Sequence, residues 1–227
     1  MTRSTASGEG RVRLSFGAER FPLWMRIGFW ACLVIAVAVV LRRAFALGAA
    51  PSPGAPPQLA ALDTFFSSHA ALTAVHIGCA LVYVLLLPLI FWKRTAASRW
   101  LQRAFFAMGF VVGATAYAMS VHAVGGWIER SAVLFFNTLF VASLARALVL
   151  NRQGRDREKQ RWVLRAVAVL LGIATTRPVM GVFFATARAT HLTPHQFFGI
   201  AFWTGFSINA IAMELWLRRS KAEGRIA

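Results

Sequence analysis

The chain has 227 residues, 58% of them hydrophobic and 15% charged, where a soluble domain has about 45–50% and about 25%. Its formal net charge is +17, but the cations stand in short blocks between apolar runs, which removes the nucleic-acid reading that a basic chain invites. Cys32 and Cys79, the two cysteines, both lie inside apolar runs, so spacing supports neither a disulfide framework nor a cysteine zinc site.

Windows of about 19 residues predict an all-α membrane bundle of six transmembrane helices, near residues 25–45, 69–92, 101–121, 131–150, 162–186 and 195–217. A basic tail (1–24) precedes them and a short tail (218–227) follows. Residues 64–92 hold no Asp, Glu, Lys or Arg, a run longer than the ~20 residues that cross a bilayer. The first span also mimics a signal peptide: Arg-containing residues 1–26, an apolar run from Ile27 to Leu41, and small residues from Ala46 to Ala50. Arg42 and Arg43 interrupt that pattern, so the span is read as retained; either reading leaves the other five oriented alike. Residues 50–57, Ala-Pro-Ser-Pro-Gly-Ala-Pro-Pro, forbid a continuous helix and form an extended linker, with a helical lead-in over 58–68.

In span two, His69 and His76 are seven residues apart, which points them within about 20° of each other, with Tyr83 on the same stripe. Span three contains Gly109 and Gly113 at the spacing of close helix packing. His122 follows it, and Gly125-Gly126 supplies the next turn. Span five holds Arg177 directly before Pro178. Proline leaves the carbonyl of Ala174 without its helical donor, opening backbone to a cavity, and a guanidinium there either snorkels to the headgroups or holds an anionic or quinone oxygen. No acidic partner for it is evident at that depth. Thr193-Pro194-His195 starts span six, with Thr193 as N-cap and Pro194 in the first turn. Pro194 sets His191 outside the helix and weakens a chelating pair with His195. Glu214 precedes Arg218 by four residues, which reads as a salt bridge before it reads as a proton relay.

Charge orients the bundle. Arg3, Arg11, Arg13, Arg20 and Arg26, then Lys93, Arg94, Arg99 and Arg103, then seven cations from Arg146 to Arg165, then Arg218, Arg219, Lys221 and Arg225 all fall on one side if the N-terminus is cytoplasmic. Only Arg42, Arg43, Arg130, Arg177 and Arg188 fall on the other. This asymmetry places both termini in the cytoplasm and holds the basic loops against anionic headgroups, at about 1 kcal/mol per cation. All five histidines fall on the outer side, although they played no part in the orientation.

Arg99-Trp100-Leu101-Gln102-Arg103-Ala104 recurs as Arg161-Trp162-Val163-Leu164-Arg165-Ala166, each at the cytoplasmic start of an outward-going span. Duplication of a helical hairpin and independent anchoring by Trp and Arg both account for it. With Arg177 and Glu214, these motifs resemble the bacterial predicted-membrane-protein family catalogued as domain of unknown function 2306, over roughly residues 69–217. The resemblance implies the fold and a bacterial cytoplasmic-membrane location but no established activity. In that family the two motifs usually begin with histidine; here Ser98 and Lys159 stand in those places, so whatever those histidines bind is not expected here.

The sequence lacks a phosphate-binding loop, a His-Glu-x-x-His helix, a Gly-x-Ser-x-Gly elbow and a dinucleotide fingerprint. Two function classes stay open. One is a redox-linked bundle holding haem, a metal or a quinone near its outer face, with His76 as ligand, His122 or His195 opposite, and Arg177 on an anionic group. The other is a non-catalytic protein, either a small transporter or an accessory subunit of a membrane complex. Lipid is the partner implied in both, and no residue pattern names a protein partner.

Overall fold

The computed structural model describes residues 21–48, 62–64, 66–91 and 98–222, the side chain of Arg188 excepted. The proline linker, the outer parts of both tails and the Lys93-Arg94 pair lie outside the described residues. Among the described residues, six long helices lie where the six spans were predicted: α1 (Leu23–Gly48), α2 (Ala70–Phe91), α3 (Arg99–Ser120), α4 (Gly126–Arg152), α5 (Asp156–Thr190) and α6 (Pro194–Ala222). Residues 62–64 and 66–67 are helical too, which agrees with part of the expected lead-in to α2.

Local chemistry sets the helix ends. Ser98 caps α3, its hydroxyl accepting from Leu101 N at 3.4 Å, so this residue has a structural task. Thr193 precedes Pro194 at the start of α6, and Gln196 Oε1 accepts from Thr193 N at 2.9 Å, the back-bonding half of a capping box. Asp156 and Glu158 stand in the first turn of α5, and Arg219 and Lys221 in the last turn of α6, signs that suit the helix dipole. His191 closes α5 with φ of 53°, and Gly126 makes the α3–α4 turn with φ of 59°. That turn is where the glycine pair was expected.

Five of the six helices are long and apolar enough to cross a membrane. The exception, α3, is 22 residues long but diluted by small and polar side chains, among them Gly109, Gly113, Thr115 and Ser120. Packing explains that composition. A Cβ at Gly109 would meet Leu144 Cδ1 at 2.6 Å, and one at Gly113 would meet Val141 Cγ2 at 2.5 Å, so the glycine pair seats α3 directly on α4 as the spacing predicted. Gly205 does the same on α6, where a Cβ would meet the backbone N of Thr176 at 2.6 Å.

The helices pack in a cycle, α1 on α2, α2 on α3, α3 on α4, α4 on α5 and α5 back on α1, while α6 docks on α4 and α5. Aromatic rings fill the α4–α6 seam: Phe136 lies 5.1 Å from Phe206 and 5.4 Å from Trp203, separations at which ring pairs attract. A polar chain ties α1 to the rest. Cys32 Sγ lies 3.6 Å from Thr175 Oγ1, which donates to Asn209 Oδ1 at 2.8 Å. Around this interior the surface is apolar, with Phe45 77%, Trp100 74%, Trp127 70% and Val182 63% exposed. Water would not tolerate so broad an apolar coat, whereas lipid requires one. Trp100 begins α3 and Trp127 begins α4, so the two mark opposite ends of the bundle, as interfacial anchors do.

Candidate binding site

The cycle of helices encloses a cavity of about 260 Å³. Val84, Phe140, Leu170 and Phe206 make part of its wall apolar, while Arg43, His76, His122, Glu129, Asn137 and Arg177 bring polar groups to it. Most of these polar residues belong to the histidine-bearing end of the bundle, where α1 ends, α4 begins and the α3–α4 turn lies.

Arg177 is the central charge. It lines the cavity, its Nε is buried without a hydrogen-bond partner, and its guanidinium contacts Met180 Sδ at 3.7 Å. Helix α5 continues through Pro178, and Ala174, whose carbonyl the proline cannot serve, is buried on the same cavity wall. Glu129 also lines the cavity, and its charge interacts with that of Arg177. Its carboxylate is already engaged, accepting from Gly125 N at 2.5 Å. An acidic neighbour for Arg177 therefore exists where none was evident in the sequence. The reason is a helix start: α4 begins at Gly126, five residues before the predicted span, and this carries Glu129 into the bundle.

Arg43 reaches the cavity from α1. Asp63 accepts from Arg43 at 2.7 Å and from Arg42 at 2.9 Å, and the Arg43 guanidinium lies 4.0 Å from the ring centre of Phe66. The segment before α2 is thereby fastened to the end of α1. Asp63 was not among the sequence candidates, because its value depends on a contact across the linker.

The histidines separate. His76 lines the cavity, with Nδ1 2.8 Å from Thr115 Oγ1 on α3. His122 lines it too, but its ring lies 3.8 Å from that of His69, centre to centre, and His69 Nδ1 is 2.9 Å from Ser68 Oγ. His195 is absent from the lining and packs over the α3–α4 turn, where a Cβ on Gly126 would meet its Nε2 at 2.9 Å. Tyr83 does not extend the His76 stripe along the cavity; it is fully buried between Phe105 and Phe140. Among the described residues, no three His, Cys, Asp or Glu side chains come together as metal ligands. Glu214 forms the expected pair with Arg218 at 3.2 Å and a second with Arg165 at 2.9 Å.

A lipid-facing coat, helices of membrane length and a largely apolar interior cavity with a few polar groups on its wall together define a multi-pass helical membrane protein. Compared with known proteins, the chain matches no family model, no curated protein and no solved structure.

Proposed function

We propose that the chain crosses the cytoplasmic membrane of a bacterium six times with both termini inside, and that its outward-facing cavity binds a lipid-soluble quinone. The orientation is supported by the concentration of Lys and Arg on one side of the six helices. Although α3 is not among the five helices long and apolar enough to cross on their own, it packs between α2 and α4, and a helix held between two spanning neighbours crosses with them. The contacts of α1 with α2 and α5 favour a retained first span over a cleaved one. The resemblance to domain of unknown function 2306 belongs to the same proposal and rests on the two Arg-Trp motifs together with Arg177 and Glu214.

The observation that carries the quinone reading is the buried, unpartnered Nε of Arg177 on the wall of a largely apolar cavity. A buried guanidinium without a fixed carboxylate partner is costly, and an electron-rich ligand oxygen offsets that cost. Haem fits less well. Two axial imidazoles must face each other, yet His122 is held against His69 and His195 does not line the cavity. A metal would need ligands that do not converge among the described residues.

Purification followed by solvent extraction and absorption spectroscopy tests this reading. A co-purifying quinone, lost in Arg177→Gln, is the expected result. A colourless protein that neither retains nor binds quinone overturns it and leaves the transporter or accessory-subunit class standing. Reporter fusions after Gln153 and Ala222 are expected to read cytoplasmic at both sites, and opposite readings would overturn the orientation.

A further inference from the structure

The contact between α2 and α3 determines which hydrogen-bonding face His76 turns to the cavity. Thr115 Oγ1 lies 2.9 Å from Val111 O and 3.0 Å from Val112 O, and 2.8 Å from His76 Nδ1. A threonine hydroxyl has one proton and two lone pairs. Here the proton is directed to the carbonyls of its own helix, a common arrangement for threonine within a helix. The oxygen then meets His76 as an acceptor, and Nδ1 is the nitrogen that carries hydrogen. In a neutral imidazole the lone pair is consequently on Nε2, for which no protein partner exists among the described residues. Asn137 is not fixed in this way: one Nδ2 hydrogen goes to Gly113 O at 2.9 Å, which leaves both the carbonyl oxygen and the second amide hydrogen for the cavity wall.

We propose that His76 is a fixed hydrogen-bond acceptor on the cavity wall, so that the site binds the reduced, hydroxyl-bearing quinol in preference to the quinone. This inference rests on the quinone reading above and adds the redox state of the ligand to it. Arg177 has donors only, and both a quinone carbonyl and a quinol oxygen accept from it, so Arg177 supplies affinity without discrimination. His76 discriminates because only the quinol has an O–H to donate. A quinone carbonyl placed against the same nitrogen would set two acceptors together and leave both unsatisfied.

The full-length protein in lipid nanodiscs, titrated separately with decylubiquinone and its quinol, tests the preference. The quinol is expected to bind about tenfold tighter, the scale of one buried hydrogen bond to a neutral partner, which raises the midpoint potential of the bound two-electron couple by about 30 mV. Thr115→Val removes the hydroxyl that holds Nδ1–H and frees the ring to present either tautomer, so the preference is expected to fall to within about twofold. Thr115→Ser, which retains the hydroxyl, is expected to keep it. Equal binding of the two forms, with both weakened by Arg177→Gln, would overturn this inference and leave the quinone reading intact. Binding of neither form would overturn both. A preference undisturbed in correctly folded Thr115→Val would show that the threonine does not hold the tautomer and would overturn the inference as well.

Discussion

At the end of the bundle that carries the α4–α5 turn, the carboxylates Asp156, Glu158 and Glu214 each pair with a nearby cation. Glu214 joins Arg165 and Arg218, Asp156 accepts from Lys159 at 2.5 Å, Asn151 accepts from the same amine at 3.0 Å, and Arg155 pairs with Glu158. At the histidine-bearing end the arrangement differs. Arg177 is set among apolar walls with an unpartnered Nε, while Glu129, whose charge acts on it, is committed to a backbone amide. The first end shows what charges do when their task is to anchor helices at a membrane surface. The second retains a buried cation at a cost to folding, a cost that the proposed ligand would offset.

Three substitutions sharpen or break that contrast. The largest effect is expected for Arg177→Met, which keeps the volume and removes the charge. It should raise the stability of the ligand-free protein by about 2–3 kcal/mol, the scale of inserting an arginine deep in a membrane helix, while quinone binding falls at least about tenfold, or ~1.4 kcal/mol. Thermal unfolding in detergent with a parallel binding titration checks both, and a lowered melting temperature would mean that Arg177 is a structural residue after all. Next in size is Glu129→Gln, expected to cost about 1–3 kcal/mol because a buried backbone donor loses a charged acceptor and Arg177 loses its compensating charge. In the Arg177→Met background part of that cost should vanish, and a double-mutant cycle that finds strict additivity would break the proposed coupling. The smallest effect is expected for Arg165→Met. Its pair with Glu214 is partly exposed, at 29% and 35%, so the change should be about 0–1 kcal/mol, with quinone affinity unaltered.

Much of the architecture was legible before any coordinates. The apolar windows located all six helices, and the glycine spacing of Gly109 and Gly113 announced a close contact that turned out to be with α4. Thr193-Pro194 announced the start of α6, and Glu214 with Arg218 announced an ion pair. Helix ends were less visible. Helix α4 starts at Gly126, ahead of the apolar window, because a helix continues past hydrocarbon wherever its backbone bonds are still satisfied. For the same reason α5 begins at Asp156 and ends at Thr190, well outside its window, and Arg161 stands within that helix whereas Arg99 opens α3. The Arg-Trp motifs therefore do not mark equivalent helix positions.

The site was legible only in fragments. His76 and Arg177 were conspicuous because an ionisable residue inside an apolar run is rare. Glu129, Asn137 and Thr115 were not, since each is an ordinary residue whose role arises from what lies opposite it. His69 and His122 are 53 positions apart in the chain and became a ring pair only when the end of α3 met the start of α2.

Hydropathy and charge are sums over neighbouring residues, so the order of the amino acids alone was enough to mark a chain of membrane-length apolar helices and where along it each one lies. Rotation of each helix about its own axis is decided instead by side chains packing against other helices. That rotation turned His76, Glu129 and Arg177 toward one space, sent Tyr83 and His195 elsewhere, and made a cavity from residues that no local pattern connects.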